Sequence, residues 1–207
     1  MVRALGVAAS LWACLLGAVV AEAQAADGAT LFDAPALGGV RVDGETQDWQ
    51  GGGLEVGILP DVDGGMPPAE DVDARFRLAW DERGLLLALT VTDDGAHENA
   101  DAGSLWSMDS VELFVADRQG SAGFYQVALA PGLDPAHPEL RRFFYDQRAA
   151  RTTRLDLETA RMRTASGYVL ECRLPWQNLG LSPHQGLEVG FQVYVNDTDG
   201  GTGYPNG

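Results

Sequence analysis

Leu187-Glu188-Val189-Gly190-Phe191-Gln192-Val193-Tyr194-Val195-Asn196 decides the fold class. Leu187, Val189, Phe191, Val193 and Val195 are apolar, and Glu188, Gly190, Gln192 and Tyr194 stand between them. A period of two puts these sets on opposite faces of an extended chain. The segment reads as a strand with one face in a core. Asn196-Asp197-Thr198-Asp199-Gly200-Gly201 then ends it in turn chemistry.

The same period recurs upstream. Ala74, Phe76, Leu78 and Trp80 alternate with Arg75, Arg77 and Ala79, and Asp81-Glu82-Arg83-Gly84 makes a turn. Leu85 to Val91 is an apolar run of strand length, expected to pair back as a buried hairpin partner. Val111, Leu113 and Val115 flank Glu112 and Phe114, and Phe124 to Ala130 follows as another strand. Arg141 to Arg163 holds half of the arginines and one or two more strands. Gly167 to Leu174 alternates again, and Pro175-Trp176-Gln177-Asn178-Leu179 reads as a helical turn, since Pro suits the first helical position. Many short strands without long helical periodicity predict an all-β protein, an antiparallel β-sandwich. Trp49, Trp80 and Trp176 read as core plugs, and Cys172 as a buried small hydrophobe.

With 207 residues the chain suits one well-cored domain. Met1-Val2-Arg3, an apolar stretch from Ala4 to Val20 and then Ala23-Gln24-Ala25 have the form of a cleaved signal peptide over residues 1–25. This predicts a periplasmic or secreted protein, with residues 26–207 as its domain and no membrane span after cleavage. The net charge of −16 is unchanged by the loss of Arg3 and Glu22 with the leader. So acidic a surface repels phosphate backbones and argues against nucleic acid as a partner. Cys172 is left alone after cleavage, so no intrachain disulfide is expected. There is no lysine, which removes Schiff-base chemistry. The chain closes in loop chemistry at Tyr204-Pro205-Asn206-Gly207, so fusion to further domains in a longer protein stays open.

A series of landmarks then becomes informative. Val42-Asp43-Gly44 with Asp48-Trp49 opens it, and Phe76 to Asp81, Gly84 to Leu87 and Val91-Thr92-Asp93 continue it. Leu105-Trp106-Ser107-Met108-Asp109-Ser110-Val111-Glu112-Leu113-Phe114 is the most distinctive block. Gly167-Tyr168, Glu171, Leu174-Pro175-Trp176 and Val195-Asn196-Asp197 complete it. In this order the series resembles the family 9 carbohydrate-binding modules, within the wider set of DOMON-like, jelly-roll-type sandwiches, over about residues 40–200.

The resemblance implies a non-catalytic sandwich that binds a carbohydrate ligand, often at polysaccharide ends, between two aromatic side chains. It places Trp106 as the first clamp aromatic, six residues before Glu112 as a hydroxyl-binding carboxylate. Indole faces stack on sugar C–H faces, and a carboxylate accepts two hydroxyls at once. Asn196 matches the family's hydroxyl-binding amide. The second clamp aromatic falls after Asn196, where Tyr204 is the remaining aromatic. The family's basic residue before the glutamate is Val111 here. No cofactor is required for binding; the family often carries structural calcium, and Asp61, Asp63, Asp71 and Asp73, as well as Asp197 and Asp199, invite that reading, with Asp61 and Asp63 the first candidate ligands, since hard cations take several oxygens.

Other readings compete. A haem-binding DOMON domain would take its iron ligands from Met108 and among His97, His137 and His184. A glycosidase would need two facing carboxylates, and Asp109 with Glu112 is the close pair, expected on opposite faces of its strand. A sensor or adaptor domain of a larger envelope protein would keep the sandwich without the sugar.

Overall fold

The computed structural model describes residues 2–6, 30–57, 65–118 and 121–199. Twelve strands among them form two sheets. One sheet has seven strands: β1 (Val2–Gly6), β2 (Thr30–Ala34), β6 (Ser110–Ala116), β7 (Tyr125–Ala130), β8 (Arg141–Asp146), β9 (Arg151–Thr152) and β12 (Glu188–Asn196). Their order is β2-β1-β12-β6-β7-β8-β9. The other has five: β3 (Leu54–Gly57), β4 (Val72–Trp80), β5 (Gly84–Asp93), β10 (Glu158–Thr164) and β11 (Gly167–Pro175), in the order β10-β11-β5-β4-β3. Neighbouring strands run antiparallel, except that β1 lies parallel to β12. β1 falls within the segment expected to be a leader.

The alternation seen in the sequence becomes the inner walls. Val111, Leu113, Val127, Leu129, Val189 and Phe191 face Leu78, Leu87, Leu89, Leu170 and Cys172 in one core. Trp176 caps it and Trp80 packs against it half-buried. Leu85 to Leu89 is buried on both faces for a separate reason. The outer face of the five-stranded sheet, at Ala79, Leu86 and Ala88, is covered by Trp49 and Val40 from the segment before β3.

That cover is stapled by one carboxylate. Trp49 Nε1 donates to Glu171 Oε1 at 2.6 Å, and the amides of Asp43 and Gly44 donate to Oε2 at 3.1 and 2.8 Å. Gly44 sits at φ 90° with Arg161 backbone 3.1 Å from where a Cβ would stand, so a side chain there would meet both strain and a wall. Beside it, the buried Arg173 donates to the Val40 carbonyl at 2.6 Å and pairs with Glu158 and, at 3.2 Å, Asp81.

The arginine-rich stretch forms three strands, β8, β9 and β10. Several of its side chains hold backbone carbonyls: Arg161 those of Pro131, Gly132 and Pro138, Arg163 that of Gly132, and Arg142 that of Leu157. Cys172 is buried, and burial pushes its thiol up to about 12. Among the described residues no helix is long and apolar enough to cross a membrane.

Candidate functional site

The outer face of the seven-stranded sheet carries the candidate site residues Trp106, Glu112 and Asn196. Because Val111, Leu113 and Val115 point inward, Ser110, Glu112 and Phe114 point outward. The register sets Tyr194 of β12 opposite Glu112, and Ala128 of β7 on its other side. Ala128 in turn faces Phe143 of β8. Gln192, Phe114, Gln126 and Tyr145 form the next row, and Asn196 stands opposite Ser110.

Glu112 is 4% exposed, and each of its oxygens accepts one side-chain amide. Gln126 Nε2 donates to its Oε1 at 2.6 Å. Asn196 Nδ2 donates to its Oε2 at 3.1 Å and to Ser110 Oγ at 3.1 Å. Burial pushes the Glu112 carboxyl above the usual range, and the Asn196 and Gln126 amides pull it back. Glu112 and Asn196, expected to act together, are therefore in direct contact. Gln126 is the partner without a signal of its own in the sequence; it is found through the β6–β7 register.

Trp106 lies in a 3-10 turn, Ala102–Ser107, just before β6. Asp101 caps the turn by accepting the Gly103 amide at 2.9 Å. Asn99 ties the turn by donating to Ser107 Oγ at 2.7 Å. The loop before it is anchored by buried Glu98, which accepts the Leu133 amide at 2.7 Å and pairs with Arg141 at 3.2 Å. The half-buried Trp106 packs with Phe143 on Leu105, Ala128 and Ala130. It therefore borders the outward face one strand away from Glu112. On the β12 side, Tyr194 meets Phe114 edge-on at 5.6 Å, and Phe114 meets Phe124 at 5.7 Å. Tyr194 also accepts from Gln192 Nε2. The arrangement is a buried carboxylate under an amide-lined floor, with aromatic side chains on both flanks. Such a floor offers fixed acceptors and donors beside apolar ring faces.

Tyr204, Asp61 and Asp63 lie outside the described residues. Asp109 and Glu112 separate as expected: Glu112 faces Gln126 and Asn196, whereas Asp109 Oδ2 accepts the His97 amide at 2.5 Å.

A family model described as "Carbohydrate family 9 binding domain-like" matches residues 42–205. The chain belongs to this family. Among curated relatives of this family 9 chain, endo-1,4-beta-xylanase A of Thermotoga neapolitana is 28% identical over 135 residues, 63% of the chain and 11% of that protein. Exoglucanase XynX of Acetivibrio thermocellus is 26% identical over 134 residues, again 63% and 11%. The chain thus spans about a tenth of the length of the curated relatives it matches. A family 9 carbohydrate-binding module from Caldicellulosiruptor kristjanssonii, solved in complex with cellotriose, superposes with a TM-score of 0.54 at 20% identity, over 80% of this chain and 76% of that one. A putative carbohydrate-binding protein from Bacteroides uniformis gives 0.53 at 15%, over 78% and 80%. At such identities the superpositions establish the shared fold.

Proposed function

We propose that this family 9 domain is an exported, non-catalytic module that binds oligosaccharides or polysaccharide ends on the outer face of its seven-stranded sheet. The contact of Asn196 and Gln126 with Glu112 carries the reading. A carboxylate placed on an outward strand face and fixed by two side-chain amides is a recognition centre for hydroxyls. At its depth Glu112 anchors the floor electrostatically. The half-buried Gln126, Tyr194 and Trp106 present the contact surface. Tyr204 supplies the second clamp aromatic by its place after Asn196.

Residues 1–25 act as a leader and are removed on export to the periplasm or the medium. Matched relatives that are many times longer support attachment to a glycoside hydrolase or a comparable partner. The cellotriose complex of a module of the same fold makes gluco-oligosaccharides the first ligands to try, with xylo-oligosaccharides second.

Calorimetry tests the reading. The mature protein is titrated with cellotriose, xylotriose and glucose. One of these is expected to bind, and Trp106→Ala to lose at least ~1 kcal/mol, the low end for a stacked aromatic. Absence of binding to every sugar sinks the proposal. Release of reducing sugar from glucan or xylan, lost in Glu112→Gln, would replace it with an enzyme.

A further inference from the structure

Trp106 stands on the segment that joins β5 to β6, residues 94–109. Its 3-10 turn, Ala102–Ser107, is too short to hold itself. Such geometry makes few and poor hydrogen bonds, and Ser104 leaves it altogether at φ −131° and ψ 27°. The direction of the indole therefore depends on what ties the segment down. Its neck is closed between His97 and Asp109. The Asp109 amide donates to the His97 carbonyl at 3.0 Å, and the His97 amide donates to Asp109 Oδ2 at 2.5 Å.

Inside that neck, one buried ion pair makes the attachment to the sheet. The Glu98 side chain is 0% exposed and that of Arg141 13%. Glu98 Oε1 accepts the Leu133 amide at 2.7 Å, and Oε2 accepts from Arg141 Nη2 at 3.2 Å. Nη1 of the same guanidinium donates to the Asn99 carbonyl at 2.7 Å. The Asn99 side chain donates to Ser107 Oγ at 2.7 Å, and Ser107 Oγ donates to the Ser104 carbonyl at 2.9 Å. A series of polar contacts thus leads from β8 to the residue beside Trp106. Two residues along β8 from Arg141, Phe143 packs with Trp106 on Leu105, Ala128 and Ala130. One strand meets the turn twice, by charge at its base and by apolar packing beside its indole.

A buried ion pair is a poor device for stability alone. Desolvation of both charges offsets much of their attraction, and apolar replacements of similar volume often do as well. What such a pair specifies is geometry, because a guanidinium fork meets its acceptors in a fixed plane. We propose that Glu98 and Arg141 are positioning residues for sugar binding: their pair seats the Ala102–Ser107 turn on β8 and so sets where the Trp106 indole stands beside the floor. The inference rests on the carbohydrate reading above. Glu98, with no exposed side-chain surface, acts through Trp106 and not on the ligand.

Two variants test it. Glu98→Gln keeps an acceptor for the Leu133 amide and sets an amide against the guanidinium. Glu98→Met with Arg141→Met removes both charges together, which spares the fold an unpaired buried charge. Without sugar, amide exchange read by mass spectrometry should run at least about tenfold faster over residues 98–107 in both, and unchanged in β5 and β11. In calorimetry with cellotriose, both should bind at least about fivefold more weakly than wild type. The same changes made in Trp106→Ala protein should alter its affinity less than about twofold, because the contact they position is gone. A loss of equal size with and without Trp106 overturns the proposal, as does exchange over residues 98–107 at the wild-type rate. If wild type binds none of cellotriose, xylotriose and glucose, the carbohydrate reading falls and the positioning role with it; the exchange rates then show separately whether the pair seats the turn.

Discussion

Asn196 Nδ2 bridges Glu112 Oε2 and Ser110 Oγ, both at 3.1 Å, across the β12–β6 pair. One amide thus fixes the carboxylate of the candidate site and the first residue of its strand. Asn196→Ala leaves a buried carboxylate oxygen short of a donor. We expect a loss of about 1–3 kcal/mol in stability, the range for orphaning a buried polar group. Urea denaturation of the variant against wild type measures it. Unchanged stability would mean the contact is idle.

Glu112→Gln keeps the shape and removes the charge. The new amide must share space with the Gln126 and Asn196 amides, which both donate there now. Sugar affinity is expected to fall at least tenfold, about 1.4 kcal/mol, as charge-assisted bonds become neutral ones. Calorimetry with the best oligosaccharide reads the change.

The Glu171 staple lies on the opposite sheet and should behave differently. Trp49→Phe removes the donor to Glu171 Oε1 and leaves that oxygen buried. Stability should fall by about 1–3 kcal/mol. Sugar affinity of the folded fraction should stay at the wild-type value. A parallel fall in affinity would contradict the separation of the two faces.

Asp109, just before β6, and Asp197, just after β12, set a pH dependence. Burial, with the charges of Asp93 and Asp197, pushes Asp109 up to about 8 against the pull of the His97 amide. Burial and its acidic neighbours push Asp197 up to about 6. A carboxyl raised above its unfolded value of 3.8 holds its proton more tightly when folded. The stability it contributes is complete below that unfolded value and is lost as pH rises through about 6 and then about 8. Thermal midpoints should therefore decline between pH 5 and pH 8. A rising midpoint over that window would refute the sign.

The strands were legible because each inner wall repeats every second residue, as Val189, Phe191 and Val195 do. The Trp106 to Glu112 spacing was legible because both lie on one short stretch. Gln126, Tyr194 and Phe143 were not, because their place beside Glu112 depends on which strands pair and in what register. Asp71 and Asp199 stand out in the sequence as acidic loop residues, but that they meet each other and Asp94 depends on the ends of β4, β5 and β12 coming together. Leu86 and Ala88 read as core from their apolarity alone; that their cover is Trp49 rather than the second sheet follows from Glu171 reaching across to the indole.

Cys172 sits deep between the sheets, opposite Leu87, with its thiol held protonated. It is the sole sulfhydryl in residues 26–207 of the sequence. The native protein should thus ignore thiol reagents, and each alkylation event should record a global opening. The molecule carries its own clock for how often it unfolds, readable by mass spectrometry without any engineered label.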